Sequence, residues 1–343
     1  MAAGGTYRPT SKRVIEIGIL GLGAVGSQLL QRINISSPEI PIYLSGPDRS
    51  KVPPQLVSPN AINYCASQEK IEEQNISLLV ISTPSGQHLE TTQRAIKRGI
   101  SVISTSNKVS DVMELLKLEN IAKDAGASII IGAGFSPGLT CALAMFASKE
   151  LDHVDEIHIA KDGTGGPACA KQHHRSMKRP SIDWWDGEWI RRPGGSGREL
   201  VWFPDPIAGA DCYRAALPEP ILLQSSFLTT SRITSRVSAT RQDRFTSWLP
   251  MLTPPHRDGG LGAVRVEVRG RLENISVTKV MGAVSAPSTA TAIVTETLCE
   301  MHMSGELKKQ VGGVSTVCDS SIFLKRIKEK GIRIVEFDGI PEE

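Results

Sequence analysis

The apolar residues of the first 150 positions alternate between short continuous runs and stretches with helical spacing. The continuous runs, which are typical of buried strands, lie at 14–20, 40–44, 76–81, 100–103 and 127–131. Helical spacing occupies the intervals at 24–33, 88–98 and 111–124. Strands that alternate with helices of ten or more residues predict βαβ units, so we expect a doubly wound parallel sheet here.

The pattern changes after about residue 150. Two stretches, 231–241 and 264–269, alternate apolar and polar residues, as antiparallel strands with one solvated face do. The stretch 161–215 is rich in Gly, Pro, Trp and Arg and shows little periodicity. Two further helices and a short strand are predicted at 287–303, 320–330 and 332–336.

These patterns predict an α/β chain with two domains. Residues 14–150 form the first domain, with its parallel sheet, and 287–343 complete it. Residues 151–286 form an α+β domain with a mostly antiparallel sheet, which we expect to bind substrate and to form the contact of a homodimer. Residues 1–13 are predicted to be a flexible tail.

Composition narrows the range of partners. The 343 residues carry a formal charge of +3 and no basic run interleaved with aromatics, so we expect a small-molecule substrate and no nucleic acid. The sequence contains no stretch of about 18 apolar residues, so we expect no membrane span. The six cysteines form no C-x-x-C pair, and the N-terminus lacks an apolar signal region, which favours a cytoplasmic protein with reduced thiols.

A glycine-rich turn follows the first predicted strand. Gly21, Gly23 and Gly26 form a G-x-G-x-x-G motif that opens a helix at Ala24 and Val25. Gly21 allows the tight turn, Gly23 lets the backbone approach a pyrophosphate, and Gly26 lets the helix pack on the strand. The free N–H groups of the helix N-terminus suit the phosphates. This context predicts a Rossmann domain that binds a dinucleotide; the alternative is a plain glycine-rich turn.

The second predicted strand ends where such domains recognise the adenosine ribose. An acidic residue there favours NAD, and a nearby basic residue accommodates the 2′-phosphate of NADP. Ser45 occupies this position, and Arg49 and Lys51 follow closely. We therefore expect NADP as the cofactor. NAD is the alternative, with Asp48 on the ribose hydroxyl and the two cations in a solvated turn.

The third predicted strand ends in Thr83, Pro84 and Ser85. A nicotinamide ribose is expected to pass this turn, because ligands bind outside the carboxyl ends of such strands. The Thr-Pro-x-x-x-His sequence resembles a turn shared by glucose–fructose oxidoreductases, inositol dehydrogenases, and aspartate or homoserine dehydrogenases. His88 faces the cofactor in one interpretation and is a helix-capping or surface residue in the other.

A polar turn that ends in Asn107 and Lys108 follows the fourth predicted strand. It resembles the Asn-Lys turn of homoserine dehydrogenases more than the Glu-Lys-Pro turn of sugar oxidoreductases. By that resemblance Lys108 meets the nicotinamide end or a substrate carboxylate. The alternative is an ordinary solvated lysine.

The last strand of the first domain ends in the sequence GAGFSPGLT, which starts at Gly132. It resembles the Gly-Phe/Leu-x-Pro-Gly turn of saccharopine dehydrogenase-like and diaminopimelate dehydrogenase-like proteins, and residues 285–337 resemble the C-terminal part of saccharopine reductases. We expect Gly132 and Gly134 to let the backbone approach the nicotinamide ring, and the turn to line the cleft between the domains. The expected substrate contacts are Phe135, Ser136, Pro137 and Gly138.

The resemblance implies an NAD(P)-dependent enzyme that moves hydride between C4 of the nicotinamide and a carbon bonded to nitrogen. Such chemistry needs a positioned cofactor, a cationic clamp for a carboxylate and one proton carrier. The acidic residue that diaminopimelate dehydrogenases have in the turn near residues 104–108 is replaced here by Ser, Thr, Asn and Lys. A sugar or polyol dehydrogenase and a cofactor-binding protein without activity are the alternatives.

The middle region offers proton carriers and aromatic side chains. Lys161 and His173 are candidates for acid/base catalysis, or else belong to a mobile loop over the cleft. His173 and His174 are adjacent, so their side chains point apart, and we expect no metal site. The tryptophans and arginines between residues 184 and 198 either wall a carboxylate site or form a dimer interface, and we favour the interface.

Overall fold

The structure is a computed structural model and describes residues 16–46, 62–65, 67–240, 249, 259–308 and 311–337. Seven parallel strands form the first sheet: β1 (Ile17–Leu20), β2 (Ile42–Ser45), β3 (Ile62–Tyr64), β4 (Leu78–Ile81), β5 (Ser101–Ser104), β6 (Ile129–Ile131) and β15 (Val311–Gly313). Their order across the sheet is β15, β6, β5, β4, β1, β2, β3. Strands β1 and β4 are buried over their whole length, which accounts for their continuous apolar runs. The predicted doubly wound parallel sheet is confirmed.

The helices of this half are α1 (Ala24–Ser36), α2 (Gln68–Glu72), α3 (His88–Lys97), α4 (Val109–Leu116) and α5 (Glu119–Asp124). The single helix predicted at 111–124 is thus two helices, with Lys117 and Leu118 between them. Strands β3 and β15 were not predicted from the sequence, because each has only three residues.

Nine strands form the second sheet: β7 (His153–Asp162), β8 (Ser181–Trp185), β9 (Glu188–Arg192), β10 (Glu199–Trp202), β11 (Gly209–Arg214), β12 (Arg232–Ser238), β13 (Gly262–Leu272), β14 (Ile275–Ser285) and β16 (Arg333–Phe337). Its main path runs β10, β11, β12, β7, β13, β14, β16, and β8 and β9 form a hairpin beside β12. The described neighbours pair antiparallel except β7 and β12, which pair parallel. The prediction of a mostly antiparallel second sheet is confirmed.

The remaining helices are α6 (Leu139–Ala147), α7 (Pro167–Ser176), α8 (Glu219–Gln224), α9 (Pro287–Met303), α10 (Val314–Val317) and α11 (Ser320–Glu329). Helix α6 follows β6, is buried along most of its length and packs on β13 and β14 of the second sheet. One continuous hydrophobic core therefore contains residues of both sheets. Among the described helices, none is long and apolar enough to cross a membrane.

The C-terminal segment is divided between the two sheets. Helix α9 packs on α1, with an ion pair of 2.6 Å between Arg32 Nε and Glu296 Oε2. Strand β15 pairs with β6 in the first sheet, whereas β16 pairs with β14 in the second. This differs from the prediction that the whole of 287–343 completes the first domain, since the last strand finds its hydrogen-bonding edge on β14.

Candidate functional site

The glycine turn between β1 and α1 has the geometry of a phosphate cradle. Gly21 has a φ of 92°, which suits glycine, and a Cβ on Gly26 would overlap the Gly21 carbonyl oxygen. A Cβ on Gly23 would meet no atom within 4 Å. Helix α1 has no side-chain cap and no acidic residue in its first turn. The first N–H groups of α1, at Ala24 and Val25, are therefore not capped by a side chain, and the space beside Gly23 is open. Their contact with a pyrophosphate stays a prediction.

Strand β2 ends beside this cradle. Ser45 is buried, and its carbonyl oxygen accepts a hydrogen bond of 2.8 Å from the N–H of Gly21. The Tyr64 hydroxyl donates to the carbonyl oxygen of Gly46. Arg49 and its neighbour Lys51 lie outside the described residues, so a contact with a 2′-phosphate stays a prediction.

His88 supports the turn after β4 from beneath. Its ring is fully buried, with Nδ1 2.9 Å from Ser104 Oγ and Nε2 3.0 Å from the carbonyl oxygen of Thr83. Because a carbonyl can only accept, Nε2 carries the proton and Nδ1 accepts from the serine. Burial lowers the pKa of this ring. Both ring nitrogens of His88 are therefore used to join the turns after β4 and β5, and a contact of this residue with the cofactor stays a prediction.

The three predicted nicotinamide contacts lie in the turn at the carboxyl end of β4. Pro84 is exposed, and Thr83 and Ser85 are half-buried. Ser85 Oγ donates to Asn107 Oδ1 at 3.0 Å, which ties the turn after β4 to the turn after β5. This hydrogen bond fixes the two turns relative to each other at the carboxyl ends of β4 and β5.

A buried carboxylate strengthens the same link. Asp111 Oδ2 accepts from the N–H of Gly86 at 2.6 Å and from Ser106 Oγ at 2.8 Å. Lys108 Nζ lies 4.0 Å from Asp111 Oδ1, and a Cβ on Gly86 would lie 3.1 Å from that ammonium. Asp111 therefore holds the half-buried Lys108 over the turn after β4.

The turn after β6 is closely packed. A Cβ on Gly132 would lie 2.7 Å from Pro137 and 3.0 Å from Leu222, and a Cβ on Gly138 would overlap the backbone of Gly134. Gly132 and Gly138 also have φ values of 70° and 118°. These contacts show that the glycines let the turn fold on itself. The expected approach of the Gly132 and Gly134 backbone to the nicotinamide ring stays a prediction.

Helices α8 and α9 hold this turn from two sides. The N–H of Phe135 donates to Thr291 Oγ1 of α9 at 3.2 Å. Ser136 Oγ donates to Oε1 of Glu219, a fully buried carboxylate of α8. Of the four predicted substrate contacts, Ser136 is half-buried, and the buried ones are Phe135, Pro137 and Gly138.

The turn after β6 lies where the two sheets meet. Helix α6, which packs on the second sheet, starts directly after it. Ser288, at the start of α9, accepts a hydrogen bond of 3.2 Å from Gln28 of α1. A Cβ on Gly165, in the loop after β7, would lie 3.0 Å from the backbone nitrogen of Ser288. The start of α9 therefore touches α1, the turn after β6 and the loop after β7.

Lys161 lies near the end of β7, on the same face as Ile157 and Ile159 of the main core. It is 5% exposed and makes no hydrogen bond or ion pair with another described residue. Its pairing partner on β12 is Val237, and the next residue, Ser238, has its carbonyl oxygen 3.1 Å from His173 Nε2. Lys161, near the end of β7, and His173, bonded to the end of β12, therefore lie beside neighbouring strand ends.

The tryptophan cluster has mainly structural contacts. Trp184 Nε1 donates to the carbonyl oxygen of Thr230 at 2.9 Å, and its ring meets that of Trp189 edge-on at 5.0 Å. The guanidinium carbons of Arg232 and Arg192 lie 3.6 Å and 4.7 Å from the centre of the Trp185 ring. In the part of the chain that the structure describes, no group of three His, Cys, Asp or Glu is placed to hold a metal ion.

Three residues that shape the site were missed in the sequence. Asp111 looked like an ordinary acid in a first helical turn, and Glu219 stands in a Pro-Glu-Pro stretch that is typical of an exposed loop. Thr291 lies in a helix rich in small residues. Only tertiary contacts distinguish these side chains from their neighbours in the sequence.

Comparisons with known proteins agree with this architecture. Residues 15–133 match an oxidoreductase family with an NAD-binding Rossmann fold. No curated protein matches the chain significantly. Among solved structures, apo saccharopine dehydrogenase (L-Glu forming) from Saccharomyces cerevisiae is similar, with a TM-score of 0.70 and 10% identity over 94% of this chain and 100% of that chain.

Two further solved structures are similar over most of their length. A myo-inositol dehydrogenase from Corynebacterium glutamicum has a TM-score of 0.47 and 13% identity over 95% of this chain and 100% of that chain. The WlbA dehydrogenase from Chromobacterium violaceum, in complex with NADH and UDP-GlcNAcA, has a TM-score of 0.46 and 10% identity over 97% and 99%. The first domain of this chain is therefore similar to the NAD-binding Rossmann domain of that oxidoreductase family, and the whole chain shares the fold of saccharopine dehydrogenase.

Proposed function

We propose that this protein is an NAD(P)-dependent oxidoreductase that acts on the C–N bond of an amino-acid or imine substrate. The observation that carries the proposal is the junction of the two sheets, where the turns after β4, β5 and β6 share one edge of the first sheet. Lys161 lies on the inner face of the second sheet. The fold shared with a saccharopine dehydrogenase supports a substrate of the amino-acid class.

The residues of the cradle fit a nicotinamide dinucleotide. The open space at Gly23 and the uncapped start of α1 suit its pyrophosphate. Thr83, Pro84 and Ser85 would lie along the nicotinamide ribose. When bound, the cofactor supplies or accepts the hydride.

The proposed cofactor is NADP rather than NAD. No acidic residue ends β2, and Arg49 follows it closely. We expect Arg49→Ala to weaken the binding of NADPH about tenfold, the loss of one charge-assisted contact, while the binding of NADH stays unchanged. Fluorescence titration of both cofactors measures this. Tighter binding of NADH than of NADPH to the unchanged protein would contradict the preference.

We assign two lysines to the roles that this chemistry needs, a cationic clamp for a carboxylate and a proton carrier. We propose that the ammonium of Lys108, which lies 4.0 Å from Asp111 Oδ1, binds a substrate carboxylate. Lys161 is the proposed proton carrier for the substrate nitrogen, with His173 as the alternative carrier. The ammonium of Lys161 makes no hydrogen bond or ion pair with another described residue, which leaves it available for a substrate group.

A substitution of Lys161 tests this role. We expect Lys161→Met to leave the affinity for NADPH unchanged, to lower turnover by about a hundredfold or more, and not to reduce the thermal midpoint. Lys117→Met, at an exposed position, is the matched control. The assay is oxidation of NADPH with keto acids, with and without amines, and with sugars.

The substrate panel separates the alternatives. Oxidation of NADPH by a keto acid together with an amine supports the proposal. Turnover of sugars alone would instead identify a sugar or polyol dehydrogenase. Binding of NADPH without turnover on any substrate would identify a cofactor-binding protein without activity.

We also propose that the second sheet forms the contact of a homodimer. The large apolar side chains of Trp189, Leu200 and Trp202 are 45%, 57% and 62% exposed on β9 and β10. Large apolar side chains left exposed on strands are typical of interfaces. Light scattering should give twice the chain mass for the unchanged protein and the chain mass for Trp202→Ser. A monomeric unchanged protein would exclude the dimer.

A further inference from the structure

The outer face of the second sheet carries a half-open cavity of about 240 Å³. Side chains alternate along a strand, so Glu156 and His158 of β7 line this cavity, whereas Ile157 and Lys161 point to the opposite face. The cavity is therefore separated by the sheet from the proposed active site. Its other charged side chains are Arg214, Arg232, Arg236, Arg269 and Glu199.

The charges that line the cavity do not balance. Four guanidinium groups face two carboxylates, which leaves an excess of two positive charges. Burial lowers the pKa of His158, whose ring nitrogens bond to Thr234 Oγ1 at 2.8 Å and to Glu156 Oε2 at 2.9 Å. The lining thus carries a net positive charge, and both ring nitrogens of His158 already have hydrogen-bond partners.

Two of the arginines stand directly opposite each other. Arg214 of β11 and Arg236 of β12 are register partners on one face of an antiparallel pair, where like charges are destabilising. Arg236 pairs with the half-exposed Glu199 at 2.9 Å. The carboxylate within 4 Å of Arg214 is the buried Asp183 at 3.7 Å, which is also 3.9 Å from Arg192. Burial and the charge of Arg236 lower the pKa of Arg214.

Two donors in this lining lack an acceptor. The Nε atoms of Arg214 and Arg232 are buried and have no hydrogen-bond partner among the described residues. A buried donor without a partner costs stability. An oxygen-rich anion in the cavity supplies the missing negative charge and accepts from the guanidinium N–H groups that line it.

The arginine side chains are also held in place before any ligand arrives. The guanidinium of Arg232 stacks on Trp185 at 3.6 Å and pairs with Glu156 at 2.9 Å. Arg236 Nη1 lies 3.3 Å from Thr234 Oγ1. Such fixed planar guanidinium groups are suited to bidentate binding of phosphate and carboxylate.

We propose that this cavity binds a small oxyanion, of the phosphate or carboxylate class, between Arg214 and Arg236 and beside Arg232. The proposal is independent of the function proposed for the cleft. It assigns a second, separate ligand site to the outer face of the second sheet.

Calorimetric titration with inorganic phosphate and with malonate tests the site and tells the two classes of oxyanion apart. The titrations use Gly23→Asp, because its carboxylate keeps phosphate from the start of α1. We expect one saturable site for one of the two anions. Arg236→Gln and Arg214→Gln should each weaken that anion's binding about tenfold or more, as the loss of a charge-assisted bidentate contact does. Arg271→Gln, which removes an exposed arginine of the same sheet outside the cavity, should leave the affinity unchanged.

Three results would overturn the proposal. The first is the absence of saturable binding of either anion. The second is an equal affinity in Arg236→Gln and Arg271→Gln. The third is a change of molar mass in light scattering for Arg236→Gln together with unchanged anion affinity, which would make the cavity a contact between copies of the chain. If Arg214→Gln does not fold, the test rests on Arg236→Gln alone. We expect Arg236→Gln to fold, because the carboxylate partner of Arg236, Glu199, is half-exposed and keeps its hydration.

Discussion

Gly23 and Gly26, at the start of α1, differ in the space around them, and this difference is testable. Gly23 has open space where a side chain would stand, whereas a Cβ on Gly26 would overlap the backbone of Gly21. We expect Gly23→Asp to keep its thermal midpoint and to lose NADPH affinity at least tenfold, because a carboxylate repels the pyrophosphate. Gly26→Ala should instead lower the free energy of unfolding by about 2 kcal/mol or more.

Fluorescence titration and urea unfolding of both variants give the comparison. Loss of stability in Gly23→Asp would show that the space at this glycine is occupied. Unchanged NADPH binding in a folded Gly23→Asp would place the phosphates elsewhere and remove the cradle from the proposed site.

The same contrast explains which parts of the site the sequence could predict. The turn at Gly21 and the close packing at Gly26 depend on a local strand–turn–helix geometry, so the spacing of the glycines was sufficient to predict them. Gly132 packs against Leu222, a residue from another element far along the chain, and its spacing held no sign of that contact. Glu219 is fully buried although its sequence neighbours are typical of a loop. Long-range packing, which a local pattern does not encode, decided both positions.

At the scale of elements, α9 holds the turn after β6 in place. Thr291 Oγ1 accepts from the N–H of Phe135, and Thr295 Oγ1 donates to the carbonyl oxygen of Ala133. We expect Thr291→Val, which keeps the shape of the side chain, to lower the free energy of unfolding by about 1–3 kcal/mol, because the Phe135 N–H loses its acceptor.

Thr297→Val is the matched control on the same helix. Thr297 Oγ1 donates to the carbonyl of Ile293 within α9, and that carbonyl keeps its backbone partner when the hydroxyl is removed. Urea unfolding should therefore show a smaller loss for Thr297→Val than for Thr291→Val. An equal loss in both variants would mean that the link to the turn contributes nothing.

Elements with strong periodicity were predictable, and the short ones were not. The apolar runs of β1 and β4 and the helical spacing of α1 and α9 appeared in the sequence at nearly their observed positions. Strand β15 consists of one valine and two glycines, and it becomes a strand only because β6 offers a free edge. The strands between 181 and 214 carry tryptophans and charges on both faces, which hides their alternation.

At the scale of the whole molecule, buried histidines should make stability depend on pH. Burial lowers the pKa of His88, His158 and His302. Below about pH 6.5 the unfolded chain binds protons that these rings in the folded chain do not, so the free energy of unfolding falls as pH decreases. Each such histidine contributes at most about 1.4 kcal/mol per pH unit.

Urea unfolding between pH 8 and pH 5 measures this slope. We expect stability to be constant above pH 7 and to decline below it, and His302→Gln to make the decline shallower. A profile that is flat down to pH 5 would contradict the lowered pKa values.

The two sheets should also unfold together, although they resemble separate domains. Helix α9 and strand β15 return to the first sheet after β14, β16 then completes the second sheet, and α6 leads from β6 of the first sheet to β13 and β14 of the second. One hydrophobic core includes Ile17 and Ile19 of β1 together with Val266 and Val268 of β13. Four of the five tryptophans, Trp184, Trp185, Trp189 and Trp202, lie in strands of the second sheet, so tryptophan fluorescence reports mainly on that sheet. Hydrogen exchange of β1 and β4 reports on the first sheet.

A substitution in the first domain therefore tests whether the two sheets unfold together. Leu29 of α1 is fully buried, and Leu29→Ala should lower the free energy of unfolding by about 2–5 kcal/mol. We expect the urea midpoints from tryptophan fluorescence and from hydrogen exchange to fall by the same amount, because the core is shared. Ile35→Ala, on the same helix but 72% exposed, should shift neither midpoint. If Leu29→Ala moved the exchange midpoint and left the fluorescence midpoint unchanged, the halves would be independent domains, and the junction proposed as the active site would be held by weaker contacts than its burial indicates.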